Sequence, residues 1–371
     1  MRARVAACLA VGALGLAQSA AAEPMDPAIE RLVVNPECRD EFGRFTPRGP
    51  DADGGAISCE PDNVAFKKLI SQYAFALAPT AMHSARTTGY GGFHLSIEAA
   101  YTTIDDGAQY WQKGTQGSRD PNTAQASVEN ASPASALSVY SLKFRKGFGF
   151  GLELTGAVGF MPDTSIVTGG ADVRIALLEG FRTGIGGYLP DVAVGGGVRT
   201  ITGTPQFQLT TVGIDGQLSK PFPIASTSVL TPWVGYQYLF VFGDSGLVDL
   251  TPGTNAIQAC NYTGNNQPGN PDPGKMTDDP DDPEPIFDGS PVCNGGTNDD
   301  FNNNAVFDPV RLRRQRLLFG LNYRYEMVMV GAQFIMDMVP PADAQPDADD
   351  KADLEGEDSQ YTMVLELGGM F

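Results

Sequence analysis

From Gly91 to the last residue, apolar and polar side chains alternate in one segment after another. Phe93, Leu95, Ile97, Ala99 and Tyr101 take turns with His94, Ser96, Glu98, Ala100 and Thr102. The same period of two returns in 148–154, 171–177, 192–198, 230–242, 317–325, 328–336 and 361–371. A period of two sends successive side chains to opposite faces of a strand. With less regular segments near 136–146 and 206–218, the reading gives about ten strands, most of them longer than the ~5–6 residues of an ordinary strand. They match the roughly 9–11 residues a tilted strand needs to cross a bilayer. Length carries more weight than alternation, because the strands of a soluble sandwich alternate too. In 206–218 the phase changes: Phe207 and Leu209 sit on one side, Val212, Ile214 and Leu218 on the other. That pattern predicts a bulge at Thr210-Thr211.

The connections sort by parity. The long ones, 104–135, 243–313 and 339–359, all follow odd-numbered strands. Those after even-numbered strands, near 146–147, 179–188, 219–228 and 326–327, are short. Long loops at one end and short turns at the other are the layout of outer-membrane barrels, with the long loops outside. After residue 22 no run of about 20 apolar residues occurs, so no spanning helix is expected. The expected fold is all-β: a transmembrane antiparallel up-and-down β-barrel of about ten strands, residues 90–371, in the outer membrane of a Gram-negative cell. Closing the sheet removes edges whose backbone groups would lie unpaired in lipid. Tyr101, Tyr140, Phe160, Tyr188, Trp233, Phe242 and Tyr325 fall near strand ends and suit interfacial girdles.

The first 22 residues read as a secretory signal, with Arg2 and Arg4, an apolar stretch 5–16 and Ala20-Ala21-Ala22 before the cut. Residues 23–89 read as a periplasmic extension. Within it, 64–77 is predicted to be a short amphipathic helix carrying Phe66, Leu69, Ile70, Tyr73 and Leu77 on one stripe. Asp62 or Asn63 would cap it and Pro79 would stop it. The helix is expected to touch the barrel, either inside the lumen or across its periplasmic mouth. Cys38, Cys59, Cys260 and Cys293 remain after the signal, and an even number in an exported chain predicts disulfides. Pairing of neighbours, Cys38–Cys59 and Cys260–Cys293, is the simplest of three connectivities.

The last strand, with Tyr361, Met363, Leu365, Leu367 and a terminal Phe371, resembles the carboxy-terminal signature of bacterial outer-membrane β-barrel proteins. The resemblance covers about eleven residues; Gly369 departs from it, where a bulky residue is usual. It implies that Phe371 is the assembly signal read by the barrel assembly machinery, and that the last strand closes against the first. It identifies no particular member.

The opposite phase of the strands should face the lumen: Glu98, Lys143, Arg145, Glu153, Asp172, Arg174, Arg199, Arg316, Arg324, Asp337 and Glu366. Ten strands make a narrow tube, so these are expected to pack as a polar plug. The alternative is a charged constriction in a narrow, porin-like, cation-preferring channel. His94, Ser96 and Glu98 share a strand face, but i and i+2 residues lie about 7 Å apart. They are in the wrong order for a hydrolase triad, and lumen polarity accounts for all three. The formal charge falls from −19 to −21 when the two signal arginines leave, which excludes nucleic acid as a partner. Asp278, Asp279, Asp281, Asp282 and Glu284 supply oxygens of the kind calcium takes, without EF-hand spacing; otherwise they simply keep a long loop solvated. No other cofactor is expected. The expected role is non-enzymatic, structural or surface-interacting, with acidic outer loops, membrane lipid around it and an extracellular partner the sequence does not name.

Overall fold

The protein is described by a computed structural model covering residues 23–39, 59–81, 83–118, 129–180, 189–224, 226–252 and 303–371. The strands β1 Phe93–Thr103, β2 Ala136–Gly147, β3 Leu152–Phe160, β4 Val167–Leu178 and β5 Asp191–Thr202 are followed by β6 Phe207–Ser219, β7 Ser228–Ser245, β8 Val310–Tyr325, β9 Val328–Asp337 and β10 Tyr361–Met370. Each pairs antiparallel with its neighbours in chain order, and β10 returns to β1, from His94↔Met370 to Thr102↔Thr362. The seam runs to the final residue: Phe93 and Phe371 exchange backbone hydrogen bonds of 2.9 and 2.7 Å.

Alternation decides the faces. Ile97, Leu142, Val158, Ile175, Ile214 and Leu367 are exposed on the outside, while Ser96, Glu98 and Glu366 are buried within. A closed sheet wearing an apolar belt is stable in lipid and nowhere else; the chain is a transmembrane barrel of the bacterial outer membrane. Among the described residues no helix is long and apolar enough to cross a membrane. Tyr101, Tyr140 and Phe160 form a row on the belt, with Tyr101 and Tyr140 hydroxyls 3.1 Å apart and the Tyr140 and Phe160 rings 5.7 Å apart. Trp233 is a correction: it is buried and faces inward, against Gly320, where a Cβ would collide with the indole. Tyr188 lies outside the described residues.

The expected bulge in β6 is a second correction. Thr211 pairs with Arg199 on one side and Val241 on the other in unbroken register. Phe207 and Leu209 therefore point inward, and the reason is what they meet there. The ring of Phe207 lies 6.3 Å from Phe66 and 6.0 Å from Tyr73, both on a helix inside the barrel.

That helix, α1 Asn63–Leu77, starts where Asp62 accepts a 2.9 Å hydrogen bond from the Ala65 amide. From Leu69 onward every side is buried, Ser71 and Gln72 included. The outer half of the lumen is apolar to receive it: Leu137, Val139, Leu209, Leu239, Val241 and Leu312 join the same core. Burial of a large apolar side chain contributes about 1.5–3 kcal/mol. Phe66, Leu69, Ile70, Tyr73, Phe75 and Leu77 together favour insertion by on the order of 10 kcal/mol, which decides against a helix lying free at a mouth.

The expected periplasmic extension is the third correction. Residues 23–39 sit at the end of the barrel opposite Phe371, among the long loops. The Met25 amide donates to the Asp163 carbonyl, Ala28 to Gly114, and Ile29 to the Gln206 side chain. From there the chain runs down through the barrel and emerges at Gly89 to start β1. The long loops carry short helices of their own, α2 Gln109–Gly114 and α3 Ala348–Asp353.

Candidate functional site

The distinctive chemistry lies where the threaded segment meets the wall, level by level. At the outer mouth Lys67 pairs with Asp350, at 2.8 Å, and with Asp353. Below it Arg314, fully buried, holds Asp337 through both oxygens and donates to Ser71 Oγ at 2.8 Å; its guanidinium lies 4.8 Å from the Phe75 ring. Gln72 ties the helix to an outer loop, accepting from Trp111 Nε1 at 2.7 Å. Where the helix ends, the wall supplies donors: Arg316 reaches the orphaned Phe75 carbonyl at 3.1 Å and, just past the helix, the Pro79 carbonyl at 2.7 Å, and also binds Gln237.

At mid-height Lys143 bonds Glu98 at 2.7 Å, and Thr80 joins both. Lower down His83 sits between Arg174, 2.7 Å from its Nδ1, and Glu153, 3.3 Å from its Nε2. The Thr88 amide donates to Glu153 at 2.7 Å. Asp172 and Arg199 form a bidentate pair at 2.7 and 2.8 Å.

The lumen residues named from sequence thus face inward, but not always as the strand neighbours suggested. Glu153 stands directly opposite Arg174 in register, yet His83 comes between them and Arg174 turns to Asp215, 3.5 Å away. Glu366 lies 3.7 Å from Arg145 and 3.9 Å from His94, beyond direct hydrogen-bond reach. Arg324 stands apart, near the lower mouth, with Met370 Sδ at 3.6 Å. No hydrogen bond joins His94 to Ser96 among the described residues; Glu98 is taken by Lys143, and His94 and Ser96 are closed off from water. That arrangement assembles no hydrolase triad.

Arg314, Asp215 and Gln237 escaped the sequence reading although parity points to them: they share the inward phase of Arg316, Gln217 and Gly235. Thr80, His83, Gln72 and Glu357 carried no such signal, because their roles exist only once the segment is inside. Glu357, between β9 and β10, is buried against Arg314, 3.5 Å away. Burial pushes its carboxyl up to about 7, with Arg314 opposing. Unfolded, it ionises near 4.5. Between those pH values the folded chain keeps a proton the unfolded chain gives up, so stability declines as pH rises through that window. Above about 7 the penalty is complete. Glu357→Gln is expected to flatten the decline, read as unfolding midpoints at pH 5 and pH 8; an unchanged slope would place the titration elsewhere.

Cys38 and Cys59 are joined by a disulfide, 21 residues apart in sequence. Cys260, Cys293 and the acidic run Asp278, Asp279, Asp281, Asp282 and Glu284 lie outside the described residues. Among the described residues no group of His, Cys, Asp and Glu is arranged to hold a metal ion.

No family model matches the chain, and no curated protein matches it. Solved structures do. The chain is similar to the attachment invasion locus protein Ail of Yersinia pestis, in complex with the heparin analogue sucrose octasulfate, at 8% identity over 76% of this chain and 99% of that one, with a TM-score of 0.24. It is similar to OprG of Pseudomonas aeruginosa at 10% identity, over 78% and 99% of the two chains, with a TM-score of 0.25. It is similar to Omp33 of Acinetobacter baumannii at 8% identity, over 77% and 100%, with a TM-score of 0.24.

Proposed function

We propose that this protein is a sealed, non-enzymatic barrel whose task lies at the cell surface, where it presents a disulfide-tied N-terminal extension beside acidic outer loops. The observation that carries the reading is the occupied lumen. A segment bonded to the wall at Ser71, Thr80 and Thr88 occupies the bore along its length, and that is what supports a tube that does not conduct. Most lumen bases lie against acids, Lys143 on Glu98, Arg174 on Asp215, Arg199 on Asp172 and Arg314 on Asp337, so the interior sets up little field to select cations; any cation preference would come from the acidic outer loops. Those loops are the surface available to ions, calcium among them, and to an extracellular partner. In the same reading the assembly machinery recognises the last strand through Phe371, whose backbone completes the seam.

Two measurements test this. An epitope placed at residue 23 is expected to bind antibody on intact cells; binding only after the outer membrane is permeabilised would overturn the surface reading. Purified protein in planar bilayers is expected to stay silent. A steady cation-selective current would favour the channel instead.

A further inference from the structure

Below mid-height the threaded segment fills only one side of the lumen. Residues 84–89 lean on the wall made by β3, β4 and β6: the Ala85 amide donates to Ser219 Oγ at 3.1 Å, Thr87 Oγ1 to Glu179 at 2.8 Å, and the Thr88 amide to Glu153. The facing wall, from β7 to β10, is left uncovered. Between them is a cavity of about 230 Å³ at the carboxy-terminal mouth, bordered by Thr87, Thr231, Arg324, Met329 and Met370. Further up the bore, Arg316 and Gln237 both bond the Pro79 carbonyl, which ties the segment across to that same wall.

Arg324 is the anomaly in this recess. Every other lumen arginine is answered by oxygen. Arg145 faces Glu153 and Glu366, Arg174 faces Asp215, Arg199 faces Asp172, Arg314 faces Asp337, and Arg316 meets Gln237 and two carbonyls. The one contact of the Arg324 guanidinium among the described residues is the thioether of Met370, a weak acceptor. A half-buried guanidinium presents five N–H donors in a planar fork, and that fork matches an oxyanion.

We propose that this recess binds a small monocarboxylate that enters from the carboxy-terminal side, with Arg324 gripping the carboxylate. Charge favours a carboxylate over phosphate. Arg324 offers a single positive charge, while the other cation of the recess, Arg86, already lies 3.8 Å from Glu179. A dianion would leave one charge uncompensated close to Glu179. The walls agree: Val229, Met329 and Met370 offer apolar surface to a short hydrocarbon body, and the Thr87 and Thr231 hydroxyls flank it. Volume bounds the solute, since the recess falls below the roughly 300–1,000 Å³ of drug-sized sites. A solute of a few carbons fits.

The test uses the intact protein in detergent. Arginines are modified with phenylglyoxal and quantified by mass spectrometry in sodium chloride, sodium butyrate or sodium phosphate at equal ionic strength. Arg311, exposed and paired with Asp244 at the outer end, is the internal reference. Butyrate is expected to slow labelling of Arg324 at least about twofold, the effect of half occupancy, while Arg311 is unchanged and phosphate acts like chloride. Protection by phosphate alone, equal slowing at both arginines, no protection, or an Arg324 that never reacts would each overturn the proposal.

Discussion

A chain lacking residues 23–88 but keeping its signal is expected to form a conducting tube where the intact protein forms none. The wall does not depend on the segment for its hydrogen bonds. β1 to β10 pair with one another around the whole ring, and β1 begins at Phe93, after the deletion ends. What the deletion removes is the contents. Arg316, Gln237 and Lys143 lose their partners on the segment and become water-facing. The apolar outer half, lined by Leu137, Val139, Leu239 and Leu312, loses its packing against α1 and becomes a hydrophobic constriction that wets intermittently. The expected record in a planar bilayer is therefore stepwise and noisy, not smooth. Heat-modifiable migration shows whether the shortened barrel has folded. A folded barrel that stays silent would mean that something other than residues 63–88 closes the lumen.

The second large effect concerns Arg314. Its replacement by Met keeps bulk against Phe75 but leaves Asp337 fully buried without its cation. Removing one partner of a buried ion pair typically costs about 3–5 kcal/mol, because the remaining charge is uncompensated. Glu357 escapes part of this penalty by holding a proton near neutral pH, whereas Asp337 stands at the centre of the cluster and also accepts from the Gln360 amide at 2.9 Å. Arg314→Met is thus expected to lower the unfolding midpoint sharply in urea, followed by tryptophan fluorescence. Arg314→Met combined with Asp337→Asn should recover much of the loss. A change under about 1 kcal/mol in the single variant would mean that water already screens the cluster.

The barrel was legible in the sequence because its two signals, period and strand length, are local. Strand order, loop parity and the closing role of the last strand all follow from them. The contents were not legible, for a physical reason that β6 shows well. Phe207 and Leu209 looked out of phase only under the premise that a lumen is polar; the helix inside makes inward apolar residues correct. Trp233 misled in the same way, since its size suggested a lipid interface while Gly320 across the sheet leaves it room indoors. The polar half followed parity better. Glu98, Lys143, Glu153 and Arg174 face inward by simple alternation, but their partners Thr80 and His83 come from a segment whose place no periodicity records. The helix stripe itself understated the case, because Ser71 and Gln72 on its polar side are as deeply buried as Phe66.

The direction of α1 bears on how such a molecule comes to exist. Its tail end is linked by residues 78–92 to the first stave of the tube, and the last stave locks against that first one down to the final backbone atom. The ring therefore encircles its own leader, which must be in place before the final seam zips or be drawn lengthwise through a finished bore. Once outside, the cross-link between Cys38 and Cys59 closes a ring in the leader, like a knot tied after the needle has passed. Backward slippage would then require reduction of that bond, or the barrel to come apart.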